Sequence, residues 1–300
     1  MQTLQLAPQL PAFSRLVYGA WRIADGVDVS PQMALRKIEL CLAQGITTFD
    51  HADIYGNYRC EALFGDALKQ APAIKQKIQI VTKCGIMLKA DAYPNRRVKH
   101  YDTSAQHILA SVGNSLARLG IDAIDLLLIH RPDPFMDAAE TGACLDALVK
   151  SGKVRGIGVS NFDPLDWQLL QSNMRQVLLT NQIEISLLQR RAFANGSLAQ
   201  AQQLKAPPMA WSPLAAGAIL GSSEAALRLR PALQRIGQAF GVDADAVAFA
   251  WLLAHPAGIM PILGTNDLAR IAKLSDCLKV SMDRETWYEL WTLAAGQEVP

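Results

Sequence analysis

The sequence contains no apolar run long enough to cross a membrane, and neither sign of charge dominates. A membrane-spanning helix needs ~20 consecutive apolar residues, and no stretch of the 300 residues reaches that length. The chain carries 29 basic and 27 acidic residues, so it has no strong field to attract nucleic acid or anionic lipid. We therefore expect neither a membrane nor a nucleic acid as a partner.

Cysteine is scarce, and its spacing shows no pairing. The five cysteines are Cys41, Cys60, Cys84, Cys144 and Cys277. They lack the paired spacing of a zinc site, and an odd number fits poorly with the disulfide framework of a secreted protein. We expect reduced, mostly buried thiols and no metal site.

The first residues of the sequence bear on where we expect the protein to be located. Residues 1–11 contain no basic patch followed by a long apolar run, which is the pattern of a secretory signal peptide. We therefore expect a cytoplasmic protein, either a monomer or a weak homo-oligomer.

A unit of strand, loop and helix is repeated along the chain. Short aliphatic or β-branched runs alternate with stretches of helical period that are bounded by caps and glycines. Because α/β barrels often reach 300 residues as one unit, we predict a single domain over residues 1–300. The predicted strands lie near residues 16–19, 47–50, 78–83, 124–130, 156–160, 180–184, 208–212 and 258–263.

Capping residues mark the predicted helices between these strands. Ser30 and Pro31 are suited to the N-cap and the first helical position, and Asp163 and Pro164 repeat that start. A helix that begins after Ser104 should end at Gly120, because glycine readily adopts the left-handed conformation of a C-terminal cap.

The pattern favours a closed barrel over an open sheet. The fourth run, residues 124–129, is apolar without alternation, which is typical of a parallel sheet covered by helices. Eight such units form either a doubly wound sheet or a (β/α)8 TIM barrel. A doubly wound dinucleotide domain should show G-x-G-x-x-G after its first strand, whereas Gly19 stands alone there. We therefore predict an α/β protein with a (β/α)8 TIM barrel.

Four polar residues lie at or just beyond the C-terminal ends of predicted strands: Asp50, Tyr55, Lys83 and His130. In a TIM barrel these ends share one mouth, where the chemistry takes place. We expect the Lys83 ammonium to lower the pKa of the Tyr55 phenol from ~10. Asp50 would keep Lys83 charged, and neutral His130 would hydrogen-bond a substrate oxygen. The alternative is a structural ion pair beside an ordinary core histidine.

These segments resemble the aldo-keto reductase family. Residues 49–56, with Glu61 and Gly65, resemble its D-x-A-x-x-Y-G and E-x-x-x-G signature. Residues 82–84, 127–132 and 157–162 resemble the segments that carry the catalytic lysine, the catalytic histidine and the nicotinamide contacts. The resemblance implies reduction of aldehyde or ketone carbonyls to alcohols by hydride transfer from NADPH. Tyr55 would be the general acid, tuned by Lys83 and Asp50, and His130 would orient the carbonyl.

The same resemblance implies a cofactor site at the barrel mouth. The positions that match nicotinamide contacts are Ser160, Asn161, Gln182 and the stacking residue Trp211. Those that match phosphate contacts are Ser212, Pro213, Leu214, Gly217, Gly264, Thr265 and, for the adenosine 2′-phosphate, Arg270. Gly19, Ala20 and Trp21 would border the cofactor, and Trp21, Tyr55 and His130 would line the substrate pocket.

The sequence departs from the family at the adenosine end, where Ile262 and Leu263 replace a frequent lysine-serine pair and Leu274 replaces a common asparagine. A polar stretch over residues 87–103 is either a substrate lid or a surface insertion. Two other functions share the barrel fold. One is a cofactor-sensing regulatory subunit, and the other is an aldolase that forms a Schiff base on Lys83.

Overall fold

Eight short parallel strands close into a barrel in the computed structural model, which describes residues 1–299. Each strand pairs with the next along the chain, and the last pairs with the first. In chain order, the barrel strands are β1 (Val17–Gly19), β2 (Thr48–Asp50), β3 (Gln79–Cys84), β4 (Leu126–Ile129), β5 (Ile157–Ser160), β6 (Leu178–Glu184), β7 (Met209–Trp211) and β8 (Met260–Leu263). The prediction of a (β/α)8 barrel is confirmed, and every predicted strand is present within two residues of its expected bounds.

Helices follow each barrel strand and cover the barrel. They are α1 (Pro31–Leu42), α2 (Tyr55–Tyr58), α3 (Cys60–Gln70), α4 (Ala105–Leu119), α5 (Ala138–Lys150), α6 (Pro164–Gln171), α7 (Arg191–Ala194), α8 (Ser197–Leu204), α9 (Glu224–Phe240), α10 (Ala244–Leu253), α11 (Leu268–Ile271) and α12 (Arg284–Ala295). Short 3-10 helices are Ala20–Arg22, Pro72–Gln76, Ala215–Leu220 and Leu274–Lys279. Two small antiparallel pairs join Thr3–Leu4 to Phe13–Ser14 and Ile86–Met87 to His100–Tyr101.

The predicted capping residues set the helix ends. The Ser30 side chain accepts a hydrogen bond from the Met33 N–H at the start of α1. The Ser104 side chain caps α4 in the same way, and Gly120 ends that helix in the left-handed conformation, with φ of 64°. Each cap satisfies a backbone group that the helix itself leaves without a partner.

The core consists of the strands and the inner faces of the helices. All four residues of β4 are buried, as predicted for a strand covered on its outer face and packed inside the barrel. All five cysteines are buried and free, which agrees with their scattered spacing. Within residues 1–299, no single helix is long and apolar enough to cross a membrane. The pair α9 and α10, bent by 89°, passes that test only by combined length and composition.

Candidate active site

The four polar residues expected at the barrel mouth lie together. Lys83 Nζ is 2.8 Å from both carboxylate oxygens of Asp50 and 2.9 Å from the Tyr55 hydroxyl. The rings of Tyr55 and His130 meet edge to face, with centroids 5.9 Å apart. Neighbouring strands produce this arrangement, because β2 ends at Asp50, β3 carries Lys83, and His130 follows β4.

The Lys83–Asp50 pair is shielded from water. The Lys83 side chain is 0% exposed and that of Asp50 is 2% exposed. Burial lowers the pKa of Lys83 and raises that of Asp50, while each charge opposes the shift of the other. Lys83 also donates to the His51 carbonyl at 2.7 Å, so the ammonium has acceptors on several sides. A buried ion pair needs such additional hydrogen bonds to offset the loss of hydration.

The Tyr55 hydroxyl is arranged as a proton donor. An ammonium can only donate hydrogen bonds, so Lys83 uses a lone pair of the Tyr55 oxygen and leaves the phenolic hydrogen free. The pKa of Tyr55 is raised well above its ordinary value, first by burial and then by Asp50. This is the opposite of the shift expected from the sequence. The reason is that burial disfavours the charged phenolate, and the negative Asp50 carboxylate beside Lys83 disfavours it further.

His130 carries a neutral imidazole at the same mouth. Burial lowers its pKa well below the ordinary value, and the charge of Lys83 adds to this effect. A neutral imidazole keeps one N–H donor and one acceptor nitrogen. It can therefore donate a hydrogen bond to a carbonyl oxygen without carrying the second ring proton of an imidazolium.

Asp53 is a further acidic residue next to Lys83, and it was not assigned a role from the sequence. Asp53 is buried, and its Oδ2 accepts a 2.8 Å hydrogen bond from the Ser111 hydroxyl. Burial raises the pKa of Asp53 to about 7, and nearby Glu61 contributes. Both carboxylates belong to the signature around Tyr55. The signal available in the sequence was an acidic residue at a variable position of that motif.

The residues expected at the nicotinamide form one chain of hydrogen bonds across β5, β6 and β7. Trp211 Nε1 donates to Asn161 Oδ1 at 2.9 Å. Asn161 Nδ2 donates to Ser160 Oγ at 2.8 Å, and Ser160 Oγ donates to the Gln182 carbonyl at 2.8 Å. Gln182 Nε2 donates to Asp50 Oδ1. The network fixes these side chains before any ligand arrives.

The two loops expected at the cofactor phosphates differ in whether their backbone N–H groups are free to bind a ligand. Beyond β8, an added Cβ on Gly264 would meet nothing within 4 Å. Within residues 1–299, the N–H groups of Gly264 and Thr265 donate no backbone hydrogen bond. Open space beside unpaired N–H groups suits a phosphate. In the loop of Ser212, Pro213 and Leu214, by contrast, the following N–H groups are already used: Ala215 and Ala216 donate to Ser212, and Gly217 donates to Leu214.

Arg270 occupies the adenosine end of the expected site. It lies on α11, its side chain is 50% exposed, and its Nη2 is 3.1 Å from Asp245 Oδ2. Arg270 and Lys273 line a cleft of about 150 Å³, and Lys273 pairs with Asp243 at 2.9 Å. Both cations therefore have acidic partners from the start of α10, which a phosphate would have to displace.

The loop after β1 and the polar stretch after β3, residues 87–103, both follow strand ends at the mouth of the barrel. Gly19 and Ala20 are buried, whereas Trp21 is 55% exposed, so its indole does not pack in the barrel core. The polar stretch begins and ends in the small antiparallel pair Ile86–Met87 and His100–Tyr101. Within it, Arg96 Nη1 donates to the Tyr58 hydroxyl at 2.7 Å, which ties the stretch to α2 just beyond Tyr55.

Comparison with known proteins agrees with this geometry. A 6-dehydroglucose reductase of Agrobacterium fabrum is 57% identical over 299 residues, with 100% of both chains covered. Another 6-dehydroglucose reductase, from Novosphingobium aromaticivorans, is 39% identical, with 96% of this chain and 94% of that protein covered. The crystal structure of a thermostable aldo-keto reductase in complex with the inhibitor epalrestat matches with a TM-score of 0.82 at 25% identity, covering 98% of this chain and 100% of that one.

The family match extends over nearly the whole barrel. Residues 15–294 match the model of the Aldo/keto reductase family, and that span contains all eight barrel strands and the four clustered polar residues. The chain therefore belongs to the aldo/keto reductase family, whose members carry out carbonyl oxidoreduction with a nicotinamide cofactor.

Proposed function

We propose that this protein reduces aldehyde carbonyls to alcohols with NADPH, and that Tyr55 is the general acid. The observation that carries the proposal is the 2.9 Å hydrogen bond from Lys83 Nζ to the Tyr55 hydroxyl. It leaves the phenolic hydrogen free to be donated and places a positive charge next to the oxygen that becomes a phenolate. The raised pKa of Tyr55 keeps the phenol protonated at neutral pH.

Each residue of the cluster has a defined part in the proposed reaction. NADPH, when bound, supplies the hydride that adds to the carbonyl carbon. Tyr55 gives its proton to the carbonyl oxygen, and Lys83 stabilises the phenolate that remains. Asp50 holds Lys83 in place at 2.8 Å. His130, which is neutral, orients the carbonyl oxygen by a hydrogen bond.

The residues around this cluster fit a dinucleotide. Ser160, Asn161 and Gln182 would hold the carboxamide, and Trp211, which is partly exposed, would stack on the nicotinamide ring. The open backbone at Gly264 and Thr265 suits the phosphates. The planar guanidinium of Arg270 suits a 2′-phosphate, which favours NADPH over NADH.

A sugar aldehyde is the substrate class that the relatives favour. Two relatives that align over nearly the full length are named 6-dehydroglucose reductases. We propose an aldehyde of that kind, in which the reacting carbonyl is attached to a chain of hydroxyl-bearing carbons.

The aldolase alternative fits the geometry poorly. A Schiff base requires a free amine that a carbonyl can approach, whereas Lys83 is fully buried and donates to Asp50, His51 and Tyr55. The regulatory-subunit alternative does not explain why Lys83 donates a hydrogen bond to the Tyr55 hydroxyl, because such a subunit transfers no proton.

A direct assay tests the proposal. Purified protein is mixed with NADPH and either 6-dehydroglucose, D-glyceraldehyde or propanal, and the absorbance of NADPH is followed. We expect it to fall only when both NADPH and an aldehyde are present. Absence of oxidation with all three aldehydes would overturn the proposed function, and borohydride trapping of substrate on Lys83 would favour the aldolase.

A further inference from the structure

Two oppositely charged residues at the barrel mouth have no part in the proposed proton transfer. Arg131 directly follows His130 beyond β4, and its guanidinium carbon lies 5.9 Å from the centroid of the Trp211 ring. Glu184 is the last residue of β6 and stands in register with Trp211 of β7. Both charged residues therefore lie next to Trp211.

The alternation along β6 shows where Glu184 points. Gln182 points into the barrel, where it reaches Asp50, and Ile183 packs outward against the helices. Because successive side chains of a strand point to opposite faces, Glu184 lies on the same side as Gln182. It is partly exposed, at the end of the strand where the mouth opens.

Neither charge is neutralised by direct contact. Among residues 1–299, Arg131 and Glu184 form no salt bridge, either with each other or with another residue. Burial raises the pKa of Glu184, and the charge of Arg131 and a hydrogen bond from the Gln189 side chain oppose that rise. The charge of Arg131 also acts on Tyr55 and His130. Arg131 and Glu184 thus both lie next to Trp211 at the barrel mouth, without a salt bridge between them.

This combination of a cation and an anion beside Trp211 matches the chemistry of hydroxyl groups. A hydroxyl both donates and accepts hydrogen bonds. A guanidinium supplies donors in a fixed fork, and a carboxylate supplies acceptors. An anionic substrate would be attracted by Arg131 but repelled by Glu184, whereas neighbouring hydroxyls use both. We infer that Arg131 and Glu184 bind hydroxyl groups of the substrate and make this enzyme selective for polyhydroxylated aldehydes. This inference rests on the proposed function and deepens it.

The test compares two aldehydes of the same carbon number. The ratio of kcat/KM for D-glyceraldehyde to kcat/KM for propanal is measured in the wild type and in Arg131→Met, Arg131→Lys and Glu184→Gln. We expect the ratio to fall by about 10- to 100-fold in Arg131→Met, the range for losing a hydrogen bond to a charged group. Glu184→Gln should lower it as well, and Arg131→Lys should restore part of it. Arg36→Met, on the exposed face of α1, is the matched control.

Two results would overturn the inference while the proposed function stands. One is an unchanged ratio, and the other is an equal loss with both aldehydes, which would indicate a structural or chemical role. Weakened NADPH binding in Arg131→Met, measured by fluorescence titration, would assign Arg131 to the cofactor instead.

A second experiment measures binding of D-glucose by tryptophan fluorescence and needs no turnover. Loss of that binding in Arg131→Met would support the hydroxyl site even if the wild type reduced neither aldehyde, and equal binding in both proteins would overturn it.

Discussion

The Gln182 side chain donates a hydrogen bond of 2.8 Å to Asp50 Oδ1, although the two residues are 132 positions apart in the chain. Asp50 in turn holds Lys83 beneath the Tyr55 hydroxyl. In the proposed enzyme, one amide therefore connects the nicotinamide site to the proton donor. Binding of the cofactor carboxamide and orientation of the Lys83–Asp50 pair would depend on the same side chain.

Tyr55→Phe should abolish most of the activity while preserving the shape of the site. The substitution removes the phenolic proton that Lys83 leaves free. We expect kcat to fall by about 10²- to 10⁴-fold, the usual range for general acid catalysis, with little change in NADPH affinity. Steady-state kinetics and a fluorescence titration check the two parts. Tyr288→Phe, on the partly exposed face of α12, is the control, and unimpaired turnover of Tyr55→Phe would refute the assignment.

Removal of one member of the Lys83–Asp50 pair should destabilise the fold more than removal of both. Lys83→Met leaves the Asp50 carboxylate buried without its cation, and the cost of such a break is about 3–5 kcal/mol. Asp50→Asn combined with Lys83→Met removes both charges. Urea unfolding of the single and double variants gives the coupling energy. Additive losses would contradict a coupled buried pair.

Arg270 and Asp245 should affect the two cofactors differently. Arg270→Ala should weaken binding of NADPH far more than binding of NADH, because only NADPH carries the 2′-phosphate. Asp245 now holds the guanidinium at 3.1 Å, so Asp245→Asn should free it and strengthen NADPH binding. Dissociation constants for both cofactors, measured at one ionic strength, check this. Equal losses for NADPH and NADH in Arg270→Ala would argue against a phosphate contact.

Replacement of two helical glycines by alanine should change the stability of the fold in opposite directions. A Cβ added at Gly65 of α3 would lie 1.9 Å from the Arg118 carbonyl oxygen of α4, so the two helices would have to separate. A Cβ at Gly113 of α4 would meet nothing within 4 Å. We expect Gly65→Ala to lower the Tm, whereas Gly113→Ala should stabilise by up to ~1 kcal/mol through helix propensity. Thermal unfolding of both variants is the measurement.

Asp53→Asn should relieve a cost to stability that grows with pH. Folded Asp53 keeps its proton up to a pKa of about 7, against an ordinary value of 3.8. Between these values the unfolded chain binds fewer protons than the folded one, so a rise in pH favours unfolding. The Tm of Asp53→Asn minus that of the wild type should therefore increase from pH 4.5 to pH 7.5. A difference that is constant over this range would contradict a buried, protonated carboxyl, and Asp66→Asn on the exposed surface controls for loss of a carboxylate.

Much of the fold could be predicted from local patterns. The apolar runs located all eight barrel strands, and capping residues such as Ser30, Ser104 and Gly120 located helix ends. These features are readable because periodicity and capping depend on residues only a few positions apart. The choice of Asp50, Tyr55, Lys83 and His130 followed from one rule, that strand ends of a barrel share a mouth.

The sequence by itself determined the order of strands and helices, the family and the residue types available at the mouth. Only the tertiary structure decided the direction in which the pKa of Tyr55 is shifted, which burial and the Asp50 charge raise. It also decided that the Asp245 carboxylate pairs with Arg270, and that Arg131 and Glu184 lie near Trp211 without a salt bridge among the described residues. The physical reason is that desolvation and charge pairing depend on which distant segments meet in space. The pattern of strand ends predicts which residues share the mouth, but it does not fix the distances between their side chains.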